Sequence, residues 1–336
     1  MAGPAGESGR AFTSKECGSD SDRIMKQAPW RSGQADTVER PAAARPAAPA
    51  HGTAAPHGTA GASRPTATRV TVTRSRPSPP PPQPRVRITR VRTADGALVT
   101  VAVFLGPVRY VLHDGSADPG PAAGLRAGPV VAGAERRRLL AAFNGGFKLA
   151  ARAGGYMQEG HVLSPLRPGL ASLVIDRSGQ ARIGVWGSGL PVPGEAVYSV
   201  WQNLPPLVLN GRPTAASADW GLWGATIGGA YVARSAVGQD AAGDLIYAAS
   251  MSAVPADLAS VLARHGARVA MELDINPEWV QLDAASRPGG PLTAEVPGQY
   301  RPADQYLVGW TRDFFTALAS PAGSPPAPPH VQQFRP

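Results

Sequence analysis

The sequence predicts an α+β fold of mixed or antiparallel β-sheets with a few helices, in one globular domain flanked by disordered tails. Three observations predict it. Short β-rich runs recur along residues 85–319, several of them joined by Asp-Gly, Ser-Gly or Asn-Gly turns that suit hairpins. Only one stretch is punctuated at both ends as a longer helix. The 336 residues include 39 Gly and 36 Pro, roughly a fifth of the chain against a usual ~12%, and both residues break helix interiors.

Residues 1–84 read as a disordered Pro/Ala/Gly-rich tail or linker, because so few large apolar side chains cannot offset the entropy of ordering. A short repeat, His51–Ala54 and His57–Ala60, reads as low complexity rather than as a metal site. The run Pro77–Pro84 stiffens the chain as extended polyproline. Residues 320–336 form a second, Pro-rich tail.

Strands follow. Val86–Val91 alternates apolar residues with Arg and Thr, and Asp95-Gly96 turns it into the Val-rich run Ala97–Phe104. Arg109–His113 is a short strand. Ala134–Leu140 is expected as a short helix with Arg136–Arg138 on its exposed side. Ala141–Phe143 is a buried strand ending at Asn144-Gly145-Gly146. Ala171–Asp176 and Ala181–Trp186 flank Ser178-Gly179 as a hairpin, and Leu207–Leu209 runs into the turn Asn210-Gly211. Val232–Val237 and Leu245–Ser250 flank Asp240–Gly243. The helix comes next: Pro255 in the first turn, Leu258, Val261 and Leu262 at helical spacing, and Gly266 as the stop. The strand Arg268–Asp274 closes the series.

Composition excludes several functions. A single cysteine, Cys17, excludes an internal disulfide framework and a Cys-rich zinc site. No stretch of ~18 apolar residues encodes a membrane span, and the written start carries no charged n-region and apolar h-region of a secretory signal. The net charge is +9, of which residues 1–84 contribute +5 from 11 basic and six acidic residues. That charge lies in a Pro/Ala tail rather than as a basic stripe with interleaved aromatics, so no specific nucleic-acid partner is expected. No dinucleotide Gly motif, phosphate loop, His-Glu-x-x-His or Gly-x-Ser-x-Gly elbow occurs. Asp274-x-Asn276-x-Glu278 imitates the start of a calcium loop, but Trp279 and Ala285 stand where that loop needs Gly and Glu. No cofactor or metal is expected, with an oxygen-ligated divalent cation near Asp274 as the alternative.

Three segments place polar groups at strand ends. Asn144-Gly145-Gly146 could aim backbone N–H groups at an anion, or be a tight turn. Arg234, opening an apolar strand, needs a partner if buried: a ligand anion, or an internal carboxylate such as Glu272 or Asp274. Glu272 and Asp274 alternate along a strand and so share a face, where two close carboxylates raise each other's pKa. His265 suits a helix C-terminus, and His161 could line a pocket. Among Trp186, Trp201, Trp220, Trp223 and Trp279, one or two could line a glycan cleft.

In this order the segments resemble the phosphodiester glycosidase family. The matching stretches are Asn144–Phe147, Leu207–Gly211, Arg234–Gly238 and Leu273-Asp274, and the resemblance spans Ile88–Phe315. It implies a hydrolase that breaks the sugar C1–O bond of a sugar-1-phosphodiester in a glycan or cell-envelope polymer. Asp274 and Glu272 would then be the catalytic carboxylates. Asn144, Gly145, Gly146, Arg234 and Asn276 would bind substrate and phosphate. It also implies an extracytoplasmic or wall-associated place of action. One departure stands out: the family's Gly-rich run after the Asp is replaced by Ile275-Asn276-Pro277-Glu278-Trp279. The alternative function is a non-catalytic glycan-binding domain tethered to the cell surface.

Overall fold

A computed structural model describes residues 85–120, 127–224 and 230–320. The expected tails, 1–84 and 321–336, lie outside the described residues, together with Cys17, the His-Gly-Thr-Ala repeat and the proline run.

Three sheets account for the described strands. The largest runs β1 (Arg85–Arg92), β2 (Leu98–Leu105), β14 (Leu245–Ala253), β13 (Val232–Gln239), β15 (Val269–Glu272), β11 (Val208–Leu209) and β12 (Arg212–Pro213). The second runs β6 (His161–Ser164), β5 (Tyr156–Gln158), β10 (Val197–Gln202), β7 (Ala171–Asp176), β8 (Ala181–Trp186) and β9 (Gly189–Leu190). The third runs β17 (Leu292–Ala294), β16 (Leu282–Ala285), β4 (Leu139–Asn144), β18 (Phe314–Ala319) and β3 (Val108–His113). Among these strands only the β8–β9 pair is parallel, which makes the fold α+β.

Local sequence explains these roles. β1 is an edge strand with four Arg and an exposed, alternating burial pattern, and charge on an edge discourages pairing with another chain. β2 and β14 read as nearly unbroken apolar runs because both their faces are covered. On one face Val99, Val101 and Val103 pack with Leu258, Val261 and Leu262 of the long helix, α2 (Pro255–Arg264). Each fully buried aliphatic side chain there contributes ~1.5–3 kcal/mol. Asp257 accepts the Val254 N–H at 3.2 Å, which satisfies one open donor at the helix start. On the other face Ala102, Phe104 and Tyr247 join Phe143 and Phe315 of the third sheet and Leu173, Ile183 and Trp201 of the second. The main core is therefore where all three sheets meet.

Several boundaries differ from the sequence reading, and two of the differences have a clear physical reason. The helix expected over Ala134–Leu140 is α1 (Gly133–Arg138). Leu139 and Leu140 are buried in β4, and Leu139 pairs with Leu318; their burial in a sheet outweighs continuation of the helix. The strand expected over Arg268–Asp274 is confined to Val269–Glu272, because Asp274 folds its carboxylate back onto its own chain. The strands β5, β6, β9, β10, β12, β16, β17 and β18 and the short helix α3 (Gln305–Val308) have no counterpart in that reading. The largest omission is β18, which sits in the middle of the third sheet between β4 and β3.

Register gathers strand ends of all three sheets. Phe314, the first residue of β18, faces Asn144, the last of β4. Beside them β15 ends at Glu272 while β13 is beginning, with Ala236 opposite Glu272. Trp201, at the end of β10, faces Tyr156 of β5.

Candidate functional site

Asn144 is buried and fully engaged at this junction. Its Oδ1 accepts from the Tyr247 hydroxyl at 2.8 Å and the Gln281 N–H at 3.1 Å, and its Nδ2 donates to Ser235 Oγ at 2.8 Å. The side chain thus ties β4 of the third sheet to β13 and β14 of the first. The two glycines after it have a packing requirement. A Cβ on Gly145 would lie 1.7 Å from Asp313 Oδ2, and one on Gly146 would lie 1.7 Å from the edge of the Trp201 ring. Their N–H groups are also occupied: Gly145 donates to the Asp313 carbonyl at 3.0 Å and Gly146 to Asp313 Oδ2 at 3.3 Å. The pair makes room for a carboxylate and an indole and holds the carboxylate in place.

Asp274 lies one step from these glycines. Its N–H donates to the Gly145 carbonyl at 3.1 Å, and its own carbonyl accepts from Ser235 N and Oγ at 3.0 and 2.8 Å. Its Oδ1 accepts from the N–H groups of Ile275 and Asn276 at 2.7 and 2.9 Å, and Asn276 Oδ1 in turn accepts from Glu278 N–H at 2.9 Å. The bulky segment that replaces a Gly-rich run therefore forms two consecutive side-chain-capped turns. Those turns fix one oxygen of Asp274 and leave Oδ2 facing Arg312, 3.4 Å from Nη2.

Arg312 and Asp313 are the residues that sequence reasoning missed. Both are buried just before β18. Arg312 Nη2 donates to the Gly146 carbonyl at 2.6 Å and lies 3.6 Å from Asp313 Oδ1, while Nε lies 3.4 Å from Asp118. Its guanidinium also stacks over the Trp279 ring, 5.4 Å from the centroid. One cation thus serves three carboxylates, each at 3.4–3.6 Å, longer than a charge-assisted hydrogen bond. The electrostatics follow. Burial pushes the Asp313 carboxyl up to about 8, aided by the charges of Asp118 and Asp274 and opposed by Arg312. Burial also raises Asp274, opposed by Arg312, the two turn amides and Lys148. Asp114, which accepts from the Tyr156 hydroxyl at 2.5 Å, is raised to about 6, mainly by burial. At neutral pH, Asp313 therefore holds a proton. Among the described residues, no group of three or more His, Cys, Asp or Glu side chains is arranged to hold a metal ion.

Arg234 and Glu272 make a different arrangement. Arg234 Nη1 meets Glu272 Oε1 at 2.7 Å with both side chains fully buried. The guanidinium also donates to the carbonyls of Ala253 and Trp223, at 3.1 and 2.9 Å. Arg234 thereby fastens the end of β14 and the turn Trp220–Trp223 to β15. Asn203 Nδ2 adds a tie from the second sheet, donating to the carbonyls of Glu272 and Leu273 at 3.0 and 3.2 Å. Arg234 Nη2 and Glu272 Oε2 are buried without a hydrogen-bond partner. Burial raises the Glu272 carboxyl, and Arg234 opposes that shift.

The structure brings Asn144, Gly145, Gly146 and Asp274 into direct contact, with Asn276 bonded to Asp274. Arg234 and Glu272 stand one strand away, and Ser235 links them to Asn144. His161 is exposed on β6, and His265 bonds the Val261 carbonyl at the end of α2. Little in the sequence marks Arg312-Asp313. The apolar run Phe314–Ala319 was the available signal, since a buried strand there would carry an Arg-Asp pair to its open end.

Residues 137–274 match the model of the phosphodiester glycosidase family. No curated protein matches the chain. Among solved structures, it is similar to the zebrafish N-acetylglucosamine-1-phosphodiester alpha-N-acetylglucosaminidase catalytic domain, auto-inhibited by its pro-peptide. That likeness has 15% identity and a TM-score of 0.47 and covers 73% of this chain and 86% of that one. A hypothetical protein from Synechocystis is 14% identical with a TM-score of 0.43, covering 73% of this chain and 64% of that one. Among the described residues, no helix is long and apolar enough to cross a membrane.

Proposed function

We propose that this protein is a hydrolase that cleaves the sugar C1–O bond of a sugar-1-phosphodiester in a glycan or cell-envelope polymer, releasing sugar and phosphomonoester. The observation that carries the reading is the Asp274–Arg312–Asp313 cluster, one buried cation between two carboxylates at the junction of three sheets. The family match supports the reaction class, and its last residue is Asp274.

Both Asp274 Oδ2 and Asp313 Oδ1 lie within 3.6 Å of one Arg312 nitrogen. The same guanidinium nitrogen therefore contacts two carboxyl groups, and glycoside hydrolysis runs on a pair of them. Asp274, whose Oδ2 is turned toward Arg312, faces the anomeric carbon and, as carboxylate, takes a proton from water as the water oxygen bonds C1. The C1–O bond breaks, and its electron pair leaves with the phosphate oxygen. Arg312 balances the charge that develops there, and protonated Asp313 supplies a proton to the leaving phosphate. A buried guanidinium is effective in this role because the low local dielectric strengthens its field. Asn144, Gly145 and Gly146 set the positions of Asp313 and Arg312, Asn276 fixes Asp274, and the Arg234–Glu272 pair holds the wall behind them.

The test is to incubate the full-length protein with a panel of sugar-1-phosphodiesters and assay free sugar and phosphomonoester together, beside Asp274→Asn. Equimolar release that disappears in the variant is expected. Absence of release with retained glycan binding would identify a binding domain instead.

A further inference from the structure

The tryptophans of this domain are not equivalent. Trp201 and Trp223 are buried, and Trp201 is wedged against Gly146. Trp279 is engaged by the guanidinium groups of Arg301 and Arg312 at 5.9 and 5.4 Å, and Trp310 is buried with Arg301 at 5.3 Å. Trp186 is half-buried against the core of the second sheet. Trp220 differs: it is 43% exposed, and Leu222 beside it is 41% exposed.

The turn that carries Trp220 is held firmly against the candidate site. Asp219 accepts from Gly221 N–H at 3.2 Å and so caps the turn. Trp223 anchors it, with Nε1 donating to the Ala216 carbonyl at 2.8 Å and its own carbonyl bonded by Arg234. Gly224, in a left-handed conformation at φ 66°, is so close to the neighbouring chain that a Cβ there would lie 3.0 Å from both Ile275 and Phe147. Ile275 follows Asp274, and Phe147 follows Asn144-Gly145-Gly146. A turn tied down at Asp219 and Trp223, and followed by a glycine packed against Ile275 and Phe147, therefore presents a large indole to solvent. Exposing that much aromatic surface forgoes burial of an area that usually dominates core energetics, which points to a ligand.

We propose that Trp220 is a saccharide-stacking platform at the rim of the site, and that the substrate is a glycan carrying sugars beyond the one at the scissile bond. The choice of a sugar as ligand rests on the hydrolase reading above. An indole offers a flat apolar face to the C–H face of a pyranose ring, and its turn is already ordered, so little entropy is lost on binding.

Two measurements test it with the full-length protein. The first is calorimetric titration with tetrasaccharides of glucose, mannose, galactose and N-acetylglucosamine, each beside its monosaccharide. At least one tetrasaccharide is expected to bind tenfold or more tightly than its monosaccharide. Trp220→Ala should abolish that preference and Trp220→Phe should retain most of it. Tyr300→Ala, which removes an aromatic side chain that is 61% exposed, should leave it intact. The second compares KM for a single-sugar phosphodiester and one bearing a tetrasaccharide. The longer substrate should show at least a tenfold lower KM, shrinking to under threefold in Trp220→Ala. No preference for any tetrasaccharide, or a preference unaffected by Trp220→Ala, would overturn the platform. A concentration-dependent dimer lost in Trp220→Ala would overturn it in favour of a contact between copies. Failure to cleave any diester would remove the hydrolase reading, while the titration would still decide the platform.

Discussion

The Arg234–Glu272 pair and the Arg312 cluster are both buried arginine–carboxylate arrangements, yet they are built to opposite rules. Arg234 has one carboxylate at hydrogen-bond distance and two carbonyls, and it ties β14, β15 and a turn together. Arg312 has three carboxylates at 3.4–3.6 Å and is in close contact with none of them. The first arrangement pairs one cation with one carboxylate, joined by a direct hydrogen bond. The second has more carboxylates than cations, so a proton must be stored, and Asp313 stores it. A buried ion pair with balanced charge organises the chain, whereas an oversupplied one keeps groups available for reaction.

The sharpest way to break this contrast is Asp274→Asn. It should lower the rate of phosphodiester hydrolysis by about 10³-fold, a loss of about 4 kcal/mol, while thermal denaturation moves by only a few degrees. A large drop in melting temperature would place Asp274 with the structural pair instead. Arg234→Ala should do the reverse. Leaving Glu272 buried and unpaired should cost about 3–5 kcal/mol of stability in denaturant titration, and replacing both partners with Met should recover most of it. Arg312→Lys keeps the charge but loses the planar fork, and should slow hydrolysis by about 10²-fold, or about 2.7 kcal/mol.

Smaller effects sharpen the comparison through pH. If Asp313 supplies the proton, kcat/KM should fall tenfold per pH unit above about 8, where that carboxyl ionises. In Asp313→Asn this alkaline limb should vanish from the pH profile. Asp283 provides a control away from the reacting groups. Burial raises it to about 8, opposed by the hydrogen bonds that it accepts from Gln281 and Gln299. The native state then holds a proton that the unfolded chain releases near pH 4, so stability falls as pH rises from about 4 to 8. Asp283→Asn should flatten that slope in melting-temperature measurements.

Much of the architecture was legible because its signals are local. Asp95-Gly96, Ser178-Gly179 and Asp240–Gly243 each join the strands they were expected to join, and the expected turn at Asn210-Gly211 joins β11 to β12. Pro255 and Gly266 mark the limits of the long helix. Sheet order was not legible, since pairing β4 with β18 joins residues 170 or more positions apart, and no local signal encodes it. The site divides along the same line. Asn144, Gly145, Gly146 and Asp274 stand at strand ends that turn chemistry reveals. The reason for the two glycines could not be read, because it resides in Asp313 and Trp201, which reach them only after folding. Arg234 illustrates the intermediate case: the need for a partner was evident, and geometry selects Glu272.

The placement of β18 has a consequence for how the protein is made. Arg312 and Asp313 precede the last described strand, and that strand inserts between β4 and β3 rather than adding to an edge. Synthesis runs from the N-terminus, and earlier parts begin to fold first. A nascent chain can therefore have Asp274 and the paired glycines already translated while their cation and stored proton are still inside the ribosome. The third sheet cannot close, and the cluster cannot assemble, until Ala319 has emerged. Completion of the fold and assembly of the cluster are then one event.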